Sequence, residues 1–255
     1  MDRDSSSDSD SDHEQKKKGG KKDEHQSGEY ISQAIVQNVA GLTIPVLNCG
    51  SIELPDPKFG CSMLFCGSTR SGKTTLLNYL FKRHFENHIS VLMSNSLNSD
   101  AYDYLKKQCV TSDFYFPELL KEMYKINHET KNHYQFMAVI DDVPDKREDP
   151  EMKRLLTIYR NSRISCMICA QTATMVNKMA RSNINYVFLG RMNSSSEVER
   201  NIKDYLQGHW PTTLKMTEKI RLYKQLTENY TWIVLDQING HMFLTRLQPS
   251  QIIGT

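Results

Sequence analysis

Apolar positions in this chain gather into short dense runs, separated by stretches in which they recur every three or four residues. The dense runs are Cys61–Cys66, Ile89–Met93, Phe136–Ile140, Ile164–Ala170 and Ile184–Leu189. They are nearly continuous rather than alternating, which predicts strands buried on both faces, as in a parallel sheet. Between them, Leu76, Leu77, Leu80, Phe81 and Phe85 share one helical face, and Leu119, Leu120, Met123 and Ile126 do so after Pro117. Proline suits a first helical turn because the N–H it lacks would be unpaired there. The same reading predicts helices over Ser99–Gln108, Glu151–Asn161, Met175–Met179 and Leu214–Leu226, with Asp100 favouring the first turn of the earliest. It also predicts a short strand over Asp113–Phe116. Ser194, followed by Glu197, has the form of a capping box that starts another helix.

Strands and helices in alternation define an α/β domain. Toward the end of the chain, Trp232–Leu235 and Met242–Leu247 flank Asn239-Gly240, a hairpin signal that adds an edge to the sheet, with Trp232 in the core. Residues 29–60 mix short apolar pieces with Pro45, Pro55 and Pro57 and are expected to be an irregular lead-in on the domain edge. Residues 1–28 hold no aliphatic residue after Met1 and are expected to be a disordered charged tail, since they have nothing to bury against the entropy of ordering.

Charge refines this division. The tail carries 6 Lys+Arg against 8 Asp+Glu, an acidic block followed by the basic Lys16–Lys22, while the whole chain of 255 residues has a net charge of only +2. That is too mild for a monomer that holds nucleic acid through one broad basic face, so such a contact would be local or multiplied by oligomerisation. No run approaches the roughly 18 apolar residues of a membrane span, so no transmembrane segment is expected. Six cysteines lie mostly in apolar runs, as reduced thiols would. Cys166 and Cys169 have the spacing of a metal or redox pair, but they fall inside a strand-like run with no second pair at ligand spacing, so the buried-strand reading is preferred.

The candidate chemistry follows the first dense run. Gly67-Ser68-Thr69-Arg70-Ser71-Gly72-Lys73-Thr74 has the spacing G-x-x-x-x-G-K-S/T, placed between a strand and a helix as that motif requires. Its glycines let backbone N–H groups turn toward phosphates, Lys73 would reach the β and γ phosphates, and the Thr74 hydroxyl would ligate Mg2+; Thr75 continues the phosphate-side turn. A site for a nucleoside triphosphate is therefore expected within a P-loop domain spanning residues 61–255. Phe136-Met137-Ala138-Val139-Ile140 then ends in Asp141-Asp142, a strand delivering carboxylates to the edge where parallel sheets bind ligands. Asp141 would hold the metal opposite Thr74, and Asp142 would orient or deprotonate the attacking water. Gln171, at the end of the run Ile164–Ala170, would sense the γ phosphate if that strand neighbours the first.

In order and spacing these pieces resemble the compact packaging ATPases of the FtsK/HerA superfamily, found in poxvirus-type large DNA viruses, virophages and related membrane-containing icosahedral viruses. The resemblance covers about Met63 to Leu189. It rests on the phosphate loop, on Ala138-Val139-Ile140-Asp141-Asp142-Val143 followed by Asp145-Lys146, on Tyr159-Arg160 before a strand, and on Cys169-Ala170-Gln171-Thr172. It implies an ATP- and Mg2+-dependent translocase of the ASCE type, with a mainly parallel sheet, that threads double-stranded DNA into a preformed capsid. It further implies a homo-oligomeric ring, pentameric or hexameric, docked on capsid or portal-vertex proteins. The host-cell cytoplasm or virus factory is the expected location, with the nucleus and the virion as alternatives. FtsK relatives usually carry Glu where Asp142 stands, whereas the poxvirus-type branch resembles this chain. The resemblance also places an arginine at Arg160 as the cation supplied to a neighbour's site, with Arg181 second; Arg163 lies close by.

Two other classes share the phosphate loop. A small-molecule or nucleoside kinase would add an Arg-rich lid, and the chain shows no such segment. A switch GTPase would need an Asn-Lys-x-Asp motif, and here Asn177-Lys178 is followed by Met179-Ala180.

Overall fold

The computed structural model describes residues 35–39, 41–54, 59–141, 149–172 and 175–252. The expected disordered tail, Asp142 and the Asp145-Lys146 pair lie outside the described residues. Ten strands form one sheet: β1 (Ile35–Val39), β2 (Leu42–Asn48), β3 (Ser62–Cys66), β4 (Ile89–Ser94), β5 (Val110–Ser112), β6 (Phe136–Asp141), β7 (Ile164–Ala170), β8 (Tyr186–Leu189), β9 (Trp232–Asp236) and β10 (His241–Arg246). Their order across the sheet is β1-β2-β10-β9-β8-β3-β7-β6-β4-β5. From β8 to β5 every neighbouring pair is parallel.

The helices are α1 (Lys73–His84), α2 (Asp103–Gln108), α3 (Pro117–Glu129), α4 (Pro150–Thr157), α5 (Lys178–Arg181), α6 (Ser195–Asn201) and α7 (Met216–Leu226). They cover both faces of the sheet, which explains why its central strands read as continuous apolar runs. Successive residues of a strand point to opposite faces, and accordingly Met63 and Phe65 join Leu76, Leu77, Leu80 and Phe81 of α1 in one core. Leu64 and Cys66 instead meet Leu120 of α3, Leu155 and Leu156 of α4, and Leu222 and Tyr223 of α7 in the other. Burial of each Leu or Phe of α1 contributes roughly 1.5–3 kcal/mol. That packing holds the first turn of α1 at the C-terminal ends of the strands.

Several expectations are corrected. Residues 35–39 and 42–48, within a stretch expected to be irregular, pair as the antiparallel strands β1 and β2. The hairpin β9–β10 adds to the sheet as expected, and the structure places it beside β8, but β2 pairs parallel to β10 and takes the position beyond it. The strand expected over Asp113–Phe116 lies earlier, at Val110–Ser112, where it pairs with Val91–Met93 of β4. Ser194 occupies the cap position of α6 without capping it: its Oγ lies 2.7 Å from Ser196 Oγ, and no capping bond is made to the helix backbone. The helix expected from Glu151 starts at Pro150, because Asp149 Oδ1 accepts from Met152 N at 2.8 Å and from the Tyr115 hydroxyl at 2.8 Å. It gives way to a 3-10 turn over Tyr159–Ser162. Trp232 is buried as expected, and so are Cys166 and Cys169. Among the described residues no helix is long and apolar enough to cross a membrane.

Candidate nucleotide site

The phosphate loop leaves β3 at Cys66 and enters α1 at Lys73. Neighbouring strand ends hold its backbone: Gly67 N donates to Ala170 O at 3.2 Å and Ser68 N to Arg191 O at 2.9 Å, while Ser68 Oγ accepts from Asn193 N at 2.9 Å. Two glycines are needed for different reasons. A Cβ on Gly67 would fall 2.4 Å from Ser71 Oγ, inside the curl of the loop, whereas Gly72 has φ 89° at the turn into α1, a conformation that costs other residues strain. Arg70 adopts φ 63° at the exposed tip.

At the start of α1, Lys73 Nζ arches back over the loop and donates to Gly67 O at 2.8 Å and Ser68 O at 3.1 Å. Thr74 Oγ1 donates to Asp141 Oδ2 at 3.2 Å. This juxtaposition follows from strand order. β7 lies between β3 and β6, Cys66 is in register with Ala170, and Ile140 with Ile168, so Gly67, Asp141 and Gln171 all emerge at one edge. A cavity of about 390 Å3 opens there, lined by Thr69, Arg70, Gly72, Lys73, Thr74, Thr75, Asp141 and Gln171. The sequence had suggested Gln171 beside the loop on the condition that β7 neighbours β3, and that pairing is present.

Tyr102 had no signal in the sequence, and Cys169 had one only as a buried strand residue and as part of the run Cys169-Ala170-Gln171-Thr172. Tyr102 donates its hydroxyl to Asp141 Oδ2 at 2.8 Å. It comes from the 3-10 turn Asp100–Tyr102, and it reaches Asp141 because β4 pairs with β6 so that Ser94 stands opposite Asp141. Burial, then the neighbouring carboxylate, push the Tyr102 hydroxyl above its usual range, so it remains a donor. Cys169 lines the cavity beneath, its thiol raised well above the ordinary value by burial and by Asp141. Burial likewise raises Cys66 to about 12. Neither thiol is set up as a nucleophile. Among the described residues no cluster of His, Cys, Asp and Glu could hold a metal by itself. The Thr74 hydroxyl and Asp141 carboxylate are instead the hard oxygen pair that suits magnesium held jointly with phosphates.

The arginines lie elsewhere. Arg160 belongs to the turn before β7, where its carbonyl accepts from Gly60 N at 2.7 Å. That is the opposite edge of the sheet from the phosphate loop, and the seven residues of β7 separate the two edges by roughly 20 Å. Its side chain lines a cavity there with Asn183, Asn185 and Gln237. Arg163 has φ 56° and donates from Nη1 to Asn132 O at 3.1 Å. Arg181 pairs through Nη1 with Asp204.

A parallel sheet with a glycine-rich loop, Lys73 and Thr74 at a helix start, and an aspartate two strands away define a P-loop nucleoside triphosphatase fold. The family described as Poxvirus A32 protein matches residues 56–242, and the chain belongs to it. Among solved structures, the chain is similar to B204, the DNA-packaging ATPase from Sulfolobus Turreted Icosahedral Virus, at 14% identity and a TM-score of 0.55, over 75% of this chain and 98% of that one. It is also similar to the genome packaging NTPase B204 from Sulfolobus turreted icosahedral virus 2 in complex with AMP, at 13% identity and a TM-score of 0.54, over 76% and 100% of the two chains. A third likeness is to the pCW3 conjugation coupling protein TcpA in its monomer form with ATPgS, at 14% identity and a TM-score of 0.52, over 74% of this chain and 60% of that chain. No curated protein matches by sequence.

Proposed function

We propose that this chain hydrolyses ATP and uses the energy to translocate double-stranded DNA, packaging a viral genome into a preformed capsid. The observation that carries the reading is the convergence of Lys73, Thr74, Asp141 and Gln171 on one cavity, in a chain of the Poxvirus A32 family whose fold neighbours include a DNA-packaging ATPase. Magnesium, when bound between Thr74, Asp141 and the nucleotide, supplies charge neutralisation on the β and γ phosphates. Lys73 binds the same phosphates from the other side and would exchange its two carbonyl partners for phosphate oxygens. Asp142, adjacent to Asp141 in sequence, accepts the proton of the attacking water, and Gln171 orients that water and reports the γ phosphate to β7. Tyr102 holds the Asp141 carboxylate in place.

The active form in this reading is a homo-oligomeric ring, five- or six-membered, seated on capsid or portal-vertex proteins in the host-cell cytoplasm or virus factory. Arg160 stands too far from its own phosphate loop to touch it, so any service to a γ phosphate is to a neighbour's. Such a cation is worth on the order of 10³ to 10⁵ in rate. The ring also multiplies the mild positive charge of each subunit around a channel that can follow the DNA backbone.

Two experiments test the reading. Phosphate release by the full chain is expected to rise on addition of double-stranded DNA, an effect neither a kinase nor a switch GTPase predicts; no stimulation by DNA of any length would overturn the translocase. Mixing Lys73→Ala subunits, which retain Arg160, with Arg160→Ala subunits, which retain the phosphate loop, is expected to restore hydrolysis. Confirmed co-assembly without recovery would remove Arg160 from the shared site.

A further inference from the structure

A second cavity, of about 600 Å3, shares Gly72 and Thr75 with the phosphate cavity and runs away from it on the other side of the start of α1. Its walls come from the far end of the chain: Tyr230, Trp232, Arg246 and Leu247. Topology brings them there. β9 runs antiparallel to β8, with Ile233 opposite Leu189, so the turn that precedes β9 lands at the edge where β3, β7 and β8 end. β10 returns to that same edge at Arg246, since Thr245 stands opposite Trp232.

Tyr230 occupies an unusual position in this cavity. Its residue surface is 66% exposed, the largest value among the exposed large apolar and aromatic side chains of the described residues. Asn229 and Tyr230 are consecutive non-glycine residues in the left-handed region, with φ 52° and 59°. An aromatic residue held out from the core in a sparsely populated conformation, beside a ligand loop, suits a binding role better than a connecting one. The ring edge lies against Gly72: a Cβ at that position would come within 3.2 Å of Tyr230 Cδ1. Trp232, by contrast, is buried and packs over Gly190, forming the apolar floor.

We propose that this cavity receives the nucleobase and ribose of the nucleoside triphosphate, with Tyr230 as the stacking platform. The proposal rests on the phosphate-site reading above and extends it. A triphosphate bound along the loop at Lys73 and Thr74 leaves its nucleoside end to pass Gly72 and Thr75, the two residues common to both cavities. The volume falls within the roughly 300–1,000 Å3 typical of small-ligand clefts. Stacking accepts any base with an aromatic face, and among the described residues the polar side chains that line the cavity, Thr75, Asn229 and Arg246, include no carboxylate to accept jointly from the N1 and N2 donors of guanine. The subsite therefore binds purines by shape and stacking and accepts GTP as well as ATP.

The test is calorimetric titration of the full chain, in magnesium, with ATP, GTP and inorganic tripolyphosphate. Tyr230→Ala is expected to weaken both nucleotides about 5- to 150-fold, the range for loss of one stacked base, and to leave tripolyphosphate affinity unchanged. Tyr230→Phe, which keeps the ring and loses only the hydroxyl, is expected to bind all three ligands as the wild type does. Unchanged nucleotide affinity in Tyr230→Ala would overturn the proposal, and so would equal weakening of nucleotides and tripolyphosphate, which would make Tyr230 a prop for Gly72. Loss of ATP binding with GTP binding intact would overturn stacking as the means of recognition. A wild-type chain that bound tripolyphosphate as tightly as ATP would overturn the base subsite alone. One that bound neither would overturn the phosphate site, and the base subsite with it.

Discussion

The two cavities that meet at the start of α1 are built in opposite ways. The phosphate cavity is assembled from the ends of buried strands: Gly67 follows β3, Asp141 closes β6 and Gln171 follows β7. Its side chains are held by hydrogen bonds, Lys73 to the loop carbonyls and both Thr74 and Tyr102 to Asp141. The second cavity takes its one exposed ring from a turn, Asn229-Tyr230, outside regular structure. Geometry that must be held to a fraction of an ångström is placed on strands fixed by two cores, whereas a flat and tolerant contact can be left to a loop.

The largest effect expected on this contrast comes from Lys73→Ala. It removes the only side-chain cation of the loop directed over its carbonyls and should reduce phosphate release by at least about 10²–10³-fold. Because stacking is untouched, the variant should still prefer ATP to tripolyphosphate; loss of that preference would show that the two cavities are one energetic unit. Gly72→Ala strikes the residue they share. Its φ of 89° and the close approach of Tyr230 should cost about 1–2 kcal/mol, which for a domain of this size lowers the melting midpoint by about 2–8 °C. Both nucleotide and tripolyphosphate binding should weaken together, unlike the outcome for Tyr230→Ala. An unshifted melting curve with normal binding would mean that the loop adopts another turn.

The effect that magnesium should relieve is expected from Tyr102→Phe. It deletes one hydrogen bond to the charged Asp141 carboxylate, worth about 1.5–3 kcal/mol, so turnover at limiting magnesium should fall by about 12- to 150-fold. Thr74 still contacts the carboxylate, and the apparent affinity for magnesium should account for most of the loss. A fall in turnover that excess magnesium did not relieve would move Tyr102 from positioning Asp141 to the reaction itself.

Local chemistry made much of the phosphate site legible. A glycine at Gly67 is demanded by the curl of the loop itself, and the motif spacing fixes Lys73 and Thr74 relative to one helix start. Continuous apolar runs likewise identify β3, β4, β6 and β7, because a strand covered on both faces admits few polar residues. Weak or competing local signals misled in other places. The aromatic run Phe114–Phe116 looks like a strand, yet β5 is set by register against β4, which favours Val110–Ser112 at an exposed edge. Pro45 suggested irregularity, but it stands in β2 opposite Val36, next to the outermost strand of the sheet.

By itself, then, the amino-acid sequence determined the class of fold, the phosphate loop, the strand that ends in Asp141 and the buried state of Cys166 and Cys169. Each depends on contacts within about a dozen consecutive residues or on a periodicity within one element. Only the tertiary structure decided that β7 stands between β3 and β6 with Gln171 at the loop, that Tyr102 reaches Asp141, and that Arg160 lies at the far edge of the sheet. It alone brings Tyr230 back to Gly72 across more than half the chain. These are consequences of strand order and direction, and those are chosen by the packing of two whole faces, a sum over many weak contacts that no short stretch of the chain contains.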